Sequence, residues 1–155
     1  MPTEIDYARL AAYIDGEGSI RIYKRKSKGC TNPNYRMEIR VYNTDVRLVR
    51  WCKETFGGSI SGARSKGPGC RPELYWVSHT SIAEELLVLC RPYLLIKGER
   101  ADLALAFRKT YSESRRDGTK RGHFNETSIE MQYKREQLRL AMLELNKKGA
   151  PSANV

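Results

Sequence analysis

The chain has no apolar run near the ~20 residues that a membrane-spanning helix needs, so no membrane partner is expected. Histidine is scarce: His79 and His123 are the two in 155 residues. The four cysteines, Cys30, Cys52, Cys70 and Cys90, form no CxxC pair, and with so few companions a zinc site is not expected. Cys52 and Cys90 fall in predicted helices and read as buried thiols. Cys30 and Cys70 lie in Gly-rich turns; they could pair in an oxidising or thermophilic setting, while free thiols are the default in a cytosol. The opening Met1-Pro2-Thr3-Glu4-Ile5-Asp6 lacks the basic and apolar regions of a secretory signal and the arginines of a transit peptide. The expected location is intracellular, either a prokaryotic cytoplasm or the organelle that encodes the chain. Acidic residues are also in deficit, with 18 Asp+Glu against 28 Lys+Arg and a net charge of +10. That balance favours a polyanion as partner, nucleic acid first.

What is present is a regular alternation of patterns. Tyr7, Leu10, Ala11 and Ile14 recur at helical spacing over ~4–15. Residues ~18–26 then alternate, Ile20 and Ile22 on one face and Ser19, Arg21, Tyr23 and Arg25 on the other. After a polar turn, ~35–43 alternate again, with Met37, Ile39 and Val41 apolar and Arg36, Glu38, Arg40 and Tyr42 polar. Together these predict a hairpin with one apolar and one basic face. A helix over ~45–56, capped by Thr44 or Asp45, carries Val46, Val49, Cys52 and Phe56 inward. A second hairpin follows at ~59–64 and ~72–78, turning at Gly67-Pro68-Gly69. Ser81 is expected to cap a helix over ~82–91 with Ile82, Leu86 and Leu89 apolar, and a fourth helix runs ~97–111 with Ala101, Leu103 and Leu105 apolar. A basic linker leads to a last helix, ~128–147, where Thr127 and Glu130 fit a capping box and Leu138, Ala141, Met142 and Leu145 form the stripe. The order αββαββα plus C-terminal helices predicts an α+β fold, a four-stranded antiparallel sheet with helices on one face. Residues 1–111 are expected to form the core, and 112–155 a basic linker and helix packed on the same domain.

The most telling stretch is Leu10-Ala11-Ala12-Tyr13-Ile14-Asp15-Gly16-Glu17-Gly18. A helix ends in an acidic turn between glycines. The C-terminus of a helix carries partial negative charge and exposed carbonyls, so a carboxylate there calls for a cation, and carboxylate with carbonyl oxygens is a ligand set suited to Mg²⁺. These residues resemble the LAGLIDADG motif of homing endonucleases. Leu10, Ala11, Ile14, Asp15, Gly16, Glu17 and Gly18 fall at family positions; Ala12 replaces the common glycine, Tyr13 the common leucine, and Glu17 stands where many members have aspartate. The resemblance covers roughly residues 5–110, contains one motif, and is similar to the homodimeric, single-motif type.

That resemblance implies a saddle-like sheet and a DNA endonuclease that makes metal-dependent double-strand cuts with short 3′ overhangs. Glu17, with the Gly16 carbonyl, would hold Mg²⁺ or another divalent cation. Lys97, in Arg91-Pro92-Tyr93-Leu94-Leu95-Ile96-Lys97, matches the family's active-site lysine, and Asp45 a position that organises water; an N-cap role for Asp45 is equally open. Close packing of two first helices through Ala8, Ala11, Ala12 and Asp15 would form a homodimer, whose double-stranded DNA target should be roughly palindromic. An antiparallel ribbon fits the major groove. Its expected DNA contacts are Ser19, Arg21, Tyr23, Arg25, Arg36, Glu38, Arg40 and Tyr42, with Ser61, Arg64, Arg71 and Trp76 from the second hairpin, although Tyr75-Trp76-Val77 leaves the face of Trp76 open. Lys24, Lys26, Lys28, Lys66 and the basic cluster at 115–121 are expected on phosphates. Some relatives of the fold instead assist splicing by binding intron RNA, and others regulate transcription without cutting.

Overall fold

Helix α1 (Glu4–Glu17) starts at a reciprocal cap: the Thr3 hydroxyl accepts from the Asp6 backbone, and the Asp6 carboxylate accepts from the Thr3 backbone and hydroxyl at 2.9 and 2.7 Å. The computed structural model describes residues 1–25, 33–62, 67–69, 73–116 and 128–147. After α1 come β1 (Gly18–Arg25), β2 (Asn34–Asn43), α2 (Val46–Phe56), β3 (Ser59–Gly62), β4 (Leu74–His79), α3 (Thr80–Cys90), a 3₁₀ turn at Arg91–Tyr93, α4 (Gly98–Arg116) and α5 (Ile129–Leu145). The strands form one antiparallel sheet in the order β1-β2-β4-β3. This is the α+β arrangement that the alternating patterns predict.

Register decides which side chains meet the helices. Ile20 faces Ile39, Ile22 faces Met37, and Val41 faces Trp76, all on the apolar side. Leu10, Ala11 and Ile14 of α1, Val49, Cys52 and Phe56 of α2, Ala83, Leu86, Leu87 and Cys90 of α3 and Ala101, Ala104 and Phe107 of α4 close over them. Burying each large apolar side chain contributes about 1.5–3 kcal/mol. Cys52 and Cys90 are free, buried thiols, both pushed up to about 12 by burial. Cys30 and Cys70 lie outside the described residues.

α1 and the sheet meet at a tight joint. A Cβ added at Gly18 would lie 2.6 Å from the Ile14 Cα, 2.8 Å from the Ile14 oxygen and 3.0 Å from the Arg40 oxygen, all backbone atoms. Gly18→Ala is therefore expected to destabilise by about 1–3 kcal/mol, measurable by denaturant unfolding; unchanged stability would show that the joint has slack. On β4, one strand in from the far edge, Trp76 is fully buried and its indole N–H donates to the Gly57 carbonyl at 2.7 Å.

Several local expectations are corrected. α1 runs two residues past Asp15, through Gly16 and Glu17. Ser81 does not cap α3, which starts at Thr80 after His79 without a side-chain cap. Thr80 itself has φ 52°, a strained value for a β-branched residue. Ile82 and Leu89 are exposed at 43% and 38%, because α3 turns Ala83, Leu86, Leu87 and Cys90 inward. Ser128 caps α5, its hydroxyl accepting from the Met131 N–H; Thr127 lies outside the described residues. On α5 Ala141 is exposed and Arg135 is buried instead. The Arg135 guanidinium donates to the Thr110 hydroxyl and carbonyl and lies 4.0 Å from the Tyr111 ring centroid.

α5 is fastened to the sheet edge by polar bonds. Asn146 Nδ2 donates to the Ile20 carbonyl, and the Tyr35 hydroxyl donates to Glu136 at 2.7 Å. Lys24 reaches Glu136 at 3.7 Å, so it lies on the helix-covered side rather than the basic face. The Arg139 guanidinium first, then the Tyr35 hydroxyl, hold the Glu136 carboxyl down to about 2, against desolvation. A depressed carboxyl stabilises the fold above its ordinary value of 4.5, and that stabilisation is lost as the pH falls toward about 2. Glu136→Gln should therefore lower the melting temperature near neutrality and make it less sensitive to pH between 4.5 and 2; parallel melting curves for both proteins would contradict this.

Candidate active site and nucleic-acid face

The end of α1 is where the chain's distant parts converge. The last carbonyls of a helix have no intrahelical donors and carry its negative end. Here the Lys97 ammonium supplies two donors, to the Ile14 carbonyl at 2.7 Å and the Asp15 carbonyl at 2.6 Å. The Asp15 carboxylate in turn accepts from the backbone N–H groups of Leu95, Ile96 and Lys97 at 2.7, 3.2 and 2.8 Å. Asp15 thus pins the segment carrying Lys97, and Lys97 reaches back to the helix that carries Asp15. Burial lowers the Lys97 pKa from 10.5, and nearby Arg100 adds to this, while Asp15 and Glu17 oppose it. Glu17 and Gly16 are exposed beside this clamp.

Gly16 and Gly18, on either side of Glu17, line a cleft of about 890 Å³ together with Ser19, Arg21, Lys24, Lys97, Arg100 and Arg139. Five cations thus border the cleft; two of them, Lys24 and Arg139, pair with Glu136, and the exposed Glu17 stands between two of the lining glycines. Arg100 is held there by bonds to Asn146 Oδ1 and to the Leu145 carbonyl, so α5 completes the wall.

Asp45 is placed elsewhere. It caps α2, accepting from the Arg47 N–H at 2.9 Å, and pairs with the Arg47 guanidinium at 2.6 Å. It lines a separate pocket of about 460 Å³ with Arg9, Tyr13, Asn43, Leu48 and Trp51, which contains neither Glu17 nor Lys97.

Two residues expected at a dimer contact are turned inward. Ala11 is fully buried in its own core, and the Asp15 carboxylate is taken up by three backbone donors. The outward stripe of α1 is Ile5, exposed at 69%, then half-buried Ala8, then exposed Ala12 and Gly16. Ile5 was missed because it lies before the motif, although its spacing to Ala8 and Ala12 is helical.

The polar sheet face carries Ser19, Arg21, Tyr23 and Arg25 from β1 and Arg36, Arg40 and Tyr42 from β2, as alternation predicts. β3 adds exposed Ser59 and Ser61. Register adds Tyr75, Val77 and His79 from β4, opposite Tyr42, Arg40 and Glu38. The Arg40 guanidinium stacks 4.8 Å from the Tyr75 ring centroid, and Tyr75 packs against Tyr42. Trp76 is removed from this set, because it points to the core. Glu38 is on the face but is only 1% exposed, covered by the arginines beside it, so it is withdrawn from direct base contact. Arg64 and Arg71 lie outside the described residues.

No family model matches the sequence, and no curated protein matches it. Solved structures do match. The homing endonuclease I-CvuI, in complex with an I-CreI target in the presence of magnesium, superposes with a TM-score of 0.74 at 16% identity, over 96% of this chain and 87% of that one. The archaeal intron-encoded homing endonuclease I-Vdi141I, complexed with DNA, gives 0.72 at 11% identity, over 97% and 90%. The LAGLIDADG homing endonuclease I-SmaMI, bound to cleaved DNA, gives 0.69 at 17% identity; 92% of this chain covers 45% of it, so this chain spans about half of that protein. With the acidic end of α1 beside a four-stranded antiparallel sheet, the chain has the fold of the LAGLIDADG homing endonucleases.

Proposed function

We propose that the chain is a site-specific DNA endonuclease that acts as a homodimer and requires a divalent cation. The observation that carries this reading is the exposed Glu17 at the C-terminus of α1, set beside a cleft bordered by five cations and continuous with a basic sheet face. Several proteins of this fold were solved in complex with DNA, and one of them, I-CvuI, both with magnesium and with calcium. Net charge of +10 supports a polyanionic partner.

The donor set at the helix end fits a hard divalent cation. Glu17 offers a carboxylate, and the Gly16 carbonyl belongs to the last turn, where helix acceptors lack partners. Among the described residues, no three His, Cys, Asp or Glu side chains stand close enough to hold a metal by themselves. Glu17 and the Gly16 carbonyl would hold part of the cation's shell, with phosphate and water oxygens supplying the rest. When bound, such a cation supplies positive charge at the scissile phosphate and acidifies a bound water.

The chain's own groups do the rest. Lys97 directs its ammonium at the end of α1, and with Arg100 it places positive charge where a pentacovalent phosphate would gather negative charge. Asp15 holds Lys97 at that position through the 95–97 backbone. The sheet face sets the register on DNA through Arg21, Arg25, Arg36 and Arg40. Two copies pairing through Ile5, Ala8, Ala12 and Gly16 would bring two Glu17 side chains near a two-fold axis, one for each strand.

The test is to incubate the protein with a pool of randomised duplexes, with Mg²⁺ and with EDTA, and to sequence the cut ends. One roughly palindromic site with short 3′ overhangs, lost in EDTA, is the expected result. Cutting without sequence preference, or equal cutting in EDTA, would overturn the reading.

A further inference from the structure

We propose that Glu38 is a positioning residue for sequence recognition: its buried carboxylate holds Arg21, Arg40 and His79 as one reading cluster at the middle of the sheet face. This rests on the endonuclease reading and deepens it. Arg21 and His79 are the direct cross-strand neighbours of Glu38 on either side, and Arg40 follows it by two residues on the same face. Two guanidiniums and an imidazole close on one carboxylate: Arg40 Nε at 2.7 Å, Arg21 at 3.5 Å and His79 Nδ1 at 3.6 Å.

Exposure separates the roles. The Glu38 side chain is 2% exposed, while Arg21, Arg40 and His79 are 44%, 24% and 46% exposed. A base edge can reach the heads of the arginines and the imidazole but not the carboxylate beneath them. The Arg40 Nε to Glu38 Oε1 approach is short but poorly aligned, so neither atom makes a good hydrogen bond there and the contact is a charge pair. A buried carboxylate is costly without partners, so Glu38 keeps the guanidiniums drawn to it rather than swinging free. Arg40 is further fixed by the Tyr75 ring and the Tyr42 hydroxyl. Arginine reads guanine by a bidentate fork, which depends on a fixed orientation; phosphate contact tolerates a mobile cation. Glu38 therefore converts cations that would hold any duplex into ones that discriminate.

The experiment is selection of bound duplexes from a randomised pool, with Ca²⁺ replacing Mg²⁺, for the wild type and for Glu38→Gln, Arg21→Ala and Arg40→Ala. Glu38→Gln keeps the volume and removes the charge. Its expected effect is a loss of about 10-fold in base preference at the positions that Arg21→Ala and Arg40→Ala also weaken, with affinity for non-selected duplex unchanged or raised. If Glu38→Gln does not fold, Glu38→Met, which does not bury an amide, replaces it. An unchanged preference, or a loss at a position that neither arginine variant affects, overturns the proposal; the second result would make Glu38 a reader in its own right. Absence of any sequence preference in the wild type would instead strike at the endonuclease reading, and the proposal would fall with it.

Discussion

Glu17→Gln is expected to abolish cleavage while leaving DNA binding within a few-fold of wild type. The substitution removes the carboxylate charge at the end of α1 and almost no volume, and Glu17 is exposed, so no core contact is lost. A bound divalent cation contributes several kcal/mol of charge stabilisation to phosphoryl chemistry, which at 1.36 kcal/mol per tenfold is on the order of a thousandfold or more. On the proposed reading, binding rests instead on the basic sheet face and the cleft cations, which the variant keeps. The paired readout is strand cleavage and a gel-shift titration on the same duplex. Wild-type cleavage by Glu17→Gln would show that the site has been assigned to the wrong carboxylate.

Lys97→Ala should have the next largest effect, lowering the cleavage rate by about 10²–10³ and binding far less. Two consequences follow from the clamp. The Ile14 and Asp15 carbonyls lose their ammonium partner, so some stability is lost as well, and thermal melting separates this from the kinetic effect. Burial lowers the Lys97 pKa from 10.5, so its ammonium deprotonates earlier than a free lysine would. The wild-type rate should therefore fall on the alkaline side below pH 10.5, and the residual rate of Lys97→Ala should lack that limb. Asp15→Asn tests the other half of the clamp: it keeps the size but weakens the acceptors for the 95–97 backbone, and it should lower the rate with little change in affinity. A variant at Lys97 that cut at the wild-type rate would reduce its role to closing the helix end.

The strands were legible because each hairpin has one face that must be apolar. Ile20 and Ile22, then Met37, Ile39 and Val41, alternate with polar residues, and a slip of one position would put charges in the core. The end of α1 was legible to within two residues from Gly16 and Gly18, although the helix continues through Gly16 to Glu17. What the local pattern could not show is whatever depends on register or on distant segments. Tyr75-Trp76-Val77 has no polar member, so only pairing with Val41 places Trp76 inside. Glu38 has the alternation of a surface residue and is buried all the same, because Arg21 and His79 flank it across two different strands. Asp15 resembles a helix-end acid, yet its partners lie about 80 residues on, at Leu95, Ile96 and Lys97. Arg135 occupies a buried position in α5 because Thr110 and Tyr111 of α4 offer it acceptors and a ring face, which no helical stripe records.

Two copies of this helix end, each with one Glu17, are expected to make a metal-dependent double-strand cut at a defined site. The most direct test is cleavage of the DNA formed by joining the two sequences that flank the element encoding this chain, with Mg²⁺ and then with EDTA. The expected result is a double-strand break at or beside that junction, present with Mg²⁺ and absent with EDTA. Tight binding at the junction without a cut in Mg²⁺ would contradict it and leave a DNA-binding regulator of the same fold. Failure to bind the junction, with tight binding of the element's RNA, would contradict it in favour of a role in splicing.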